Sequence, residues 1–99
     1  LYNLASAFIA VGNLGEAESL LDQLIASYPH DYDAYYNRAT LRRQSDERNH
    51  IDELKAALDA GPRHPMGEVQ LRFALAKELE DLERHSESFN HLSEGAKLL

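Results

Sequence analysis

Apolar residues recur three or four positions apart along most of the chain, and turn-forming residues interrupt them. Leu1, Leu4, Ala5, Phe8 and Val11 make a first stripe, and Ala17, Leu20, Leu21, Leu24 and Ile25 a second. That spacing places each set on one face of an amphipathic helix. Gly12 and Gly15 stand between the stripes and predict a short helix-to-helix turn, and Pro29 closes the second helix. Asp31 is the expected N-cap of a third helix carrying Tyr32, Tyr35, Tyr36, Ala39 and Leu41. Ser45 is the expected N-cap of a fourth, with Asp46 and Glu47 in its first turn, Ile51, Leu54 and Leu58 on its apolar face, and Gly61-Pro62 as its stop. Pro65 opens a fifth helix with Leu71, Leu75, Leu79 and Leu82. Ser86 caps a sixth that aligns Phe89, Leu92 and Ala96. No segment alternates in the period-two manner of a half-buried strand.

Composition narrows the functional classes. At 99 residues the chain has room for one domain. Its net charge of −7 disfavours a nucleic-acid or anionic-membrane surface, each of which needs a basic patch. It has no cysteine, so disulfides and thiolate metal sites are excluded. No apolar run approaches the roughly 18 residues of a membrane helix. The expectation is therefore a cytoplasmic setting with neither nucleic acid nor membrane as partner. The apolar start at Leu1 and end at Leu98-Leu99 read as cuts from a longer protein, with further chain or self-association covering the last helix.

The six helices repeat. Ala5 and Ala39 stand 34 residues apart, as do Gly12 and Asp46, while Ala39 and Ala76, like Asp46 and Glu83, stand 37 apart. A 34-residue helix-turn-helix period is that of the tetratricopeptide repeat. The first unit resembles that family in Leu4-Ala5, Phe8, Gly12, Ala17, Leu21 and Pro29. Small residues at 5 and 17 allow close approach of two helices, and Phe8 and Leu21 fill the space beside them. The implied fold is all-α, a right-handed superhelical stack of three antiparallel hairpins: repeat 1 over about 1–31, a degenerate repeat 2 over 32–65 and repeat 3 over 66–99. In the second unit Arg38, Arg42 and Lys55 occupy positions that are apolar in the family, and Asp46 replaces the turn glycine; in the third, Glu83 and Ser88 replace the turn glycine and the helix alanine.

A narrower resemblance begins at Tyr35. "YYNRATLRRQSDERNHIDELKAAL" followed by "LRFALAKELEDLERHSESFNHLSEGAKLL" is similar to the repeat region preceding the catalytic domain of bacterial tetratricopeptide-repeat sulfotransferases. That domain uses 3′-phosphoadenylyl sulfate held by a strand-loop-helix site. No matching position here is catalytic, so no catalytic residue carries over.

The family resemblance also implies where a partner would bind. Its concave face is lined mainly by the first helix of each pair, here Tyr2, Asn3, Ser6 and Ile9, then Asp33, Tyr36, Asn37, Thr40 and Arg43, then Gln70, Phe73, Ala74 and Lys77. Tyr2, Tyr36 and Phe73 fall at equivalent places. Rings along a groove, with amides and hydroxyls between them, suit a peptide or protein segment. Gap filling between helices, or contact with an adjoining domain of the same chain, is the competing reading. The carboxylate clamp of chaperone-binding relatives is matched only at Asn37, although Arg43 and Lys77 carry charge that attracts acidic ligands.

Catalytic and metal constellations are not legible. His30, His50, His64, His85 and His91 contain no pair at the i, i+4 spacing of a helical metal site, and His50 reads as solvated in an acidic first turn. Glu78, Glu80, Asp81 and Glu83 read as a solvated helix side, and Ser86 and Ser88 lack a positioned base. The expectation is no enzyme activity in this chain, no metal and no cofactor.

Overall fold

The computed structural model describes residues 13–99, all of it helices and connecting turns. The expected first helix and Gly12 lie outside the described residues, and with them Tyr2, Asn3, Ser6 and Ile9. The five described helices are α1 (Leu14–Ser27), α2 (Tyr32–Thr40), α3 (Ile51–Asp59), α4 (Pro65–Asp81) and α5 (His85–Lys97).

Asn13 caps α1 by accepting a bond from the Glu16 amide at 3.3 Å. Gly15 therefore belongs to the first turn of α1, not to the preceding loop, a correction to the sequence reading. The turn beyond α1 is pinned by aromatic side chains of α2. Tyr35 donates its hydroxyl proton to the Pro29 carbonyl at 3.0 Å, and the Tyr32 hydroxyl lies 3.0 Å from His30 Nδ1 and accepts from the Arg63 amide. Both rings are buried.

Residues 41–50 depart from the expectation. They form no helical turn: Ser45 and Arg48 bond each other in a tight turn, and α3 starts only at Ile51 with His50 at the N-cap. Ser45 is not a cap, and Asp46 and Glu47 lie outside the helix; Asp52 and Glu53 are its first-turn acids. Gly61 then ends the segment after α3 with φ +86°, the left-handed conformation glycine adopts without a Cβ penalty.

Pro65 sits in the first turn of α4 as expected, where its missing N–H costs nothing, and His64 Nδ1 accepts from the Gly67 amide. The far end of α4 closes in a Schellman arrangement: Arg84 N–H bonds Leu79 O and Glu83 N–H bonds Glu80 O, both at 2.9 Å. The residue in the left-handed position is Glu83, with φ +62°. This is the position where the family carries glycine. Helix α5 begins at His85, so Ser86 is its second residue and not its cap.

Packing centres on α4, which lies against α2, α3 and α5, while α1 packs on α2. Leu21, Tyr35, Ala39, Leu54, Leu71, Leu75 and Leu79 belong to one continuous core. Helix α5 joins it in an unexpected way. Its buried positions are Ser88 and Gly95, whereas Phe89 and Leu92 are exposed at 67% and 47%. Ser88 donates its hydroxyl proton to the Ala76 carbonyl at 2.6 Å, and a Cβ on Gly95 would stand 2.8 Å from Phe73. Small residues bring the helices together, and the expected apolar face looks outward.

Candidate functional site

Tyr36 on α2 and Phe73 on α4, both expected groove residues, come together. They line a 510 Å³ cavity with Ala76, Lys77 and Glu80 of α4 and Ser88 and Leu92 of α5. Tyr36 is 37% exposed and Phe73 partly so, which leaves both rings a free surface. Lys77 donates to the Arg42 carbonyl at 2.7 Å and pairs with Asp81, so its charge is already matched. Glu80 is exposed on the same wall and has no partner among the described residues.

The other expected groove residues divide. Asp33 and Gln70 line a separate 350 Å³ cavity with His30, Tyr32, His64 and Met66. Arg43 borders a third with Asp46, Glu47, Asp81 and Glu83, whose carboxylates disfavour an acidic ligand there. Thr40 bonds back to the Tyr36 and Asn37 carbonyls, the usual internal bond of a helical threonine, and Asn37 is half-buried. Ala74 is fully buried and contributes to the core.

Sequence reasoning missed a buried ion cluster between α1, the 41–50 segment and α4. Glu18 is 4% exposed. It accepts two bonds from Arg42 (2.7 and 3.0 Å), one from Arg48 (2.9 Å), and faces His50 Nε2 at 2.9 Å. On its other side His50 Nδ1 lies 2.8 Å from Glu78 Oε2, and the His50 amide donates to Glu78 Oε1 at 2.6 Å. Each ring nitrogen of His50 thus faces a carboxylate oxygen. Beside this group Arg38 pairs with Asp22 at 2.9 Å and with Glu53. His50 is thus not solvated, and Glu78 is fully buried, each a correction to the sequence reading.

The Arg42 guanidinium, with Arg48 and His50 adding to it against the opposing effect of burial, lowers Glu18 from the ordinary 4.5 to about 2. The same bond raises Arg42. On α5, burial lowers His91, assisted by Arg72 and Lys55; Arg72 Nη1 stands 3.3 Å from its Nδ1. Glu18, Asp22 and His50 bring ligand-type atoms within 4.8 Å of one another. Three guanidinium groups already occupy the two carboxylates, so a cation entering there must displace them. The arrangement serves to tie segments together.

A signal for this cluster was present. Glu18 falls on the stripe Leu14, Leu21, Ile25, and Glu78 on Leu71, Leu75, Leu82, so both acids stand at helix positions that face the core. They answer the arginines at 38 and 42.

These features describe packed helices with an open, partly aromatic cleft among the described residues. Residues 1–41 match a family model described as Tetratricopeptide repeat. The match supports a tetratricopeptide-repeat relationship for that part of the chain, of which residues 13–41 are described above. No curated protein and no solved structure matches the chain significantly. No described helix is long and apolar enough to cross a membrane.

Proposed function

We propose that the chain is a protein-interaction module that holds a peptide or partner protein in the cleft containing Tyr36 and Phe73, within a right-handed stack of three helical hairpins. The observation that carries the reading is that two half-exposed rings from successive units share one cavity. Rings supply contact area at low entropic cost, and central aromatic anchors dominate binding energy. The family match over residues 1–41 supports a scaffold role, because tetratricopeptide repeats generally mediate protein–protein contacts. The test is a peptide-display selection on the immobilised chain, followed by fluorescence anisotropy with the selected sequences. Tyr36→Ala with Phe73→Ala is expected to weaken binding by about tenfold or more at unchanged helicity; unchanged affinity removes the groove.

A second reading makes the chain a non-catalytic positioning domain of a sulfotransferase. What favours it is the Arg42-Arg43-Gln44-Ser45 segment, which lies in non-helical chain here and in a turn in the resembling proteins. It predicts that the cleft rings are covered by an adjoining domain and that selected peptides bind weakly.

A further inference from the structure

The cleft has a second wall that the aromatic pair does not explain. Helix α5 approaches α4 through Ser88 and Gly95, and turns Phe89, Leu92 and Ala96 to solvent. Their spacing of three and four residues draws one apolar stripe. With Phe89 at 67% and Leu92 at 47% exposure, this stripe is an apolar face open to a partner.

The internal repeat indicates the shape of that neighbour. Helix α4 lies against both helices of the second unit, α2 and α3. Moving 37 residues along the chain turns Tyr36, Ala39 and Arg43 into Phe73, Ala76 and Glu80, which line the open cavity between α4 and α5. The third unit thus leaves open a face whose counterpart on α2 borders α4.

Charge selects the occupant. The Arg43 position has become Glu80, exposed at the cavity and with no partner among the described residues. Lys77 is neutralised by Asp81. A second copy of a chain with net charge −7 would bring like charge to this acidic rim. We infer that the α4–α5 notch, floored by Phe73 and Ala76 and walled by Leu92, takes an amphipathic helix of a partner protein, apolar residues inward and Lys or Arg against Glu80. This rests on the interaction-module reading and specifies the form and charge of the partner.

The test uses the 99-residue chain and three fluorescein-labelled synthetic peptides of equal length. One is an amphipathic helix with a Leu/Ala face and a Lys face; one carries two central prolines; one has Glu in place of Lys. Anisotropy is expected to show the lysine helix binding about tenfold more tightly than either control. Leu92→Asp should abolish most of that binding, with far-UV circular dichroism confirming the fold. The variant adds negative charge, so indiscriminate attraction of a cation would strengthen instead. Glu80→Lys, at an exposed site, should weaken binding several-fold.

Equal binding of the proline peptide overturns the helix inference, while sensitivity of that binding to Phe73→Ala leaves the groove reading standing. Binding indifferent to Leu92→Asp places the site elsewhere and overturns the inference. A dimer in sedimentation that Leu92→Asp makes monomeric identifies a second copy as the occupant, and overturns it as well. No binding of any peptide, together with a failed display selection, removes both readings.

Discussion

Removing the His50 side chain should unfold this chain far more readily than removing a half-exposed histidine would. Glu78 is fully buried, and its carboxylate has two partners, the His50 ring and the His50 backbone N–H. His50→Ala leaves the backbone bond in place and strands a buried negative charge with it alone. Breaking a buried ionic pair from one side costs about 3–5 kcal/mol, whereas the total stability of a domain is about 5–15 kcal/mol. The side chain of His50 makes no capping bond to α3, so the loss is not a capping effect. Glu18 loses one contact but keeps both arginines.

The assay is urea denaturation followed by far-UV circular dichroism on four proteins: wild type, His50→Ala, Glu78→Leu and the double variant. His50→Ala is expected to lose about 3 kcal/mol, which for a chain of this size lowers Tm by more than about 10 °C. The double variant replaces the stranded charge with an apolar group of similar reach, and should recover about 2 kcal/mol of that loss. A cost below about 1 kcal/mol for His50→Ala, or a double variant no more stable than the single, would refute the claim that buried charge sets the magnitude.

Three further outcomes follow from local geometry. Glu83→Gly should stabilise the chain by about 1 kcal/mol, because a left-handed non-glycine residue costs about 1–2 kcal/mol and glycine's extra unfolded freedom returns part of it; Glu83→Ala should gain nothing, and an equal gain in both by thermal melting would point to charge instead. Gly67→Ala should destabilise more than Gly95→Ala: the new Cβ at 67 meets Tyr32 at 2.7 Å, a buried ring held by hydroxyl bonds to His30 and Arg63, whereas the Phe73 ring over Gly95 is partly exposed and free to shift. Matching melting temperatures for the two would count against this. Glu18 has its pKa lowered from 4.5 to about 2 in the folded chain, so its contribution is complete above about pH 4.5 and is lost as pH falls towards 2; Glu18→Gln should flatten the pH dependence of urea midpoints in that window, and a parallel curve would show that other carboxylates govern it.

The stripes of leucine and tyrosine made the helices from α1 to α5 legible, because burial of a 3.6-period face is a local property of the sequence. Pro29, Gly61 and Pro65 marked boundaries for equally local reasons, the fixed φ of proline and the freedom of glycine. Where the reading failed, a distant partner had decided the outcome. Ser45 followed by two acids is a good helix start in isolation, yet Arg42, Arg48 and His50 all reach Glu18 on α1, and the chain between them turns at Ser45–Arg48 in place of winding. The stripe of α5 identified a helix, and the repeat placed Ser88 at the position of the packing alanine. Gly95, the other contact with α4, left no signal in a periodicity that counts large apolar residues. Of the candidate cleft, the aromatic positions 36 and 73 were visible from the repeat; Leu92 and Glu80 entered only through the packing of α5.

The pair α2 and α3 is built differently from the pair α4 and α5. Positions 38 and 42 hold arginines, and 37 residues further on the equivalent positions hold Leu75 and Leu79, both fully buried. Helices α4 and α5 pack directly against each other, while α2 and α3 are not among the main packing pairs. Arg38 supplies the link instead, reaching Asp22 on α1 with one nitrogen and Glu53 on α3 with another. A buried ion pair contributes little net stability over an apolar pair of the same volume. What it adds is position, because each guanidinium bond has a fixed direction, whereas leucine faces slide with small loss. Asp22 and Glu53 are about half exposed, whereas Arg38, like Glu78, is buried. Breaking either link therefore leaves a buried charge without its partner, and both links fix the helices they join.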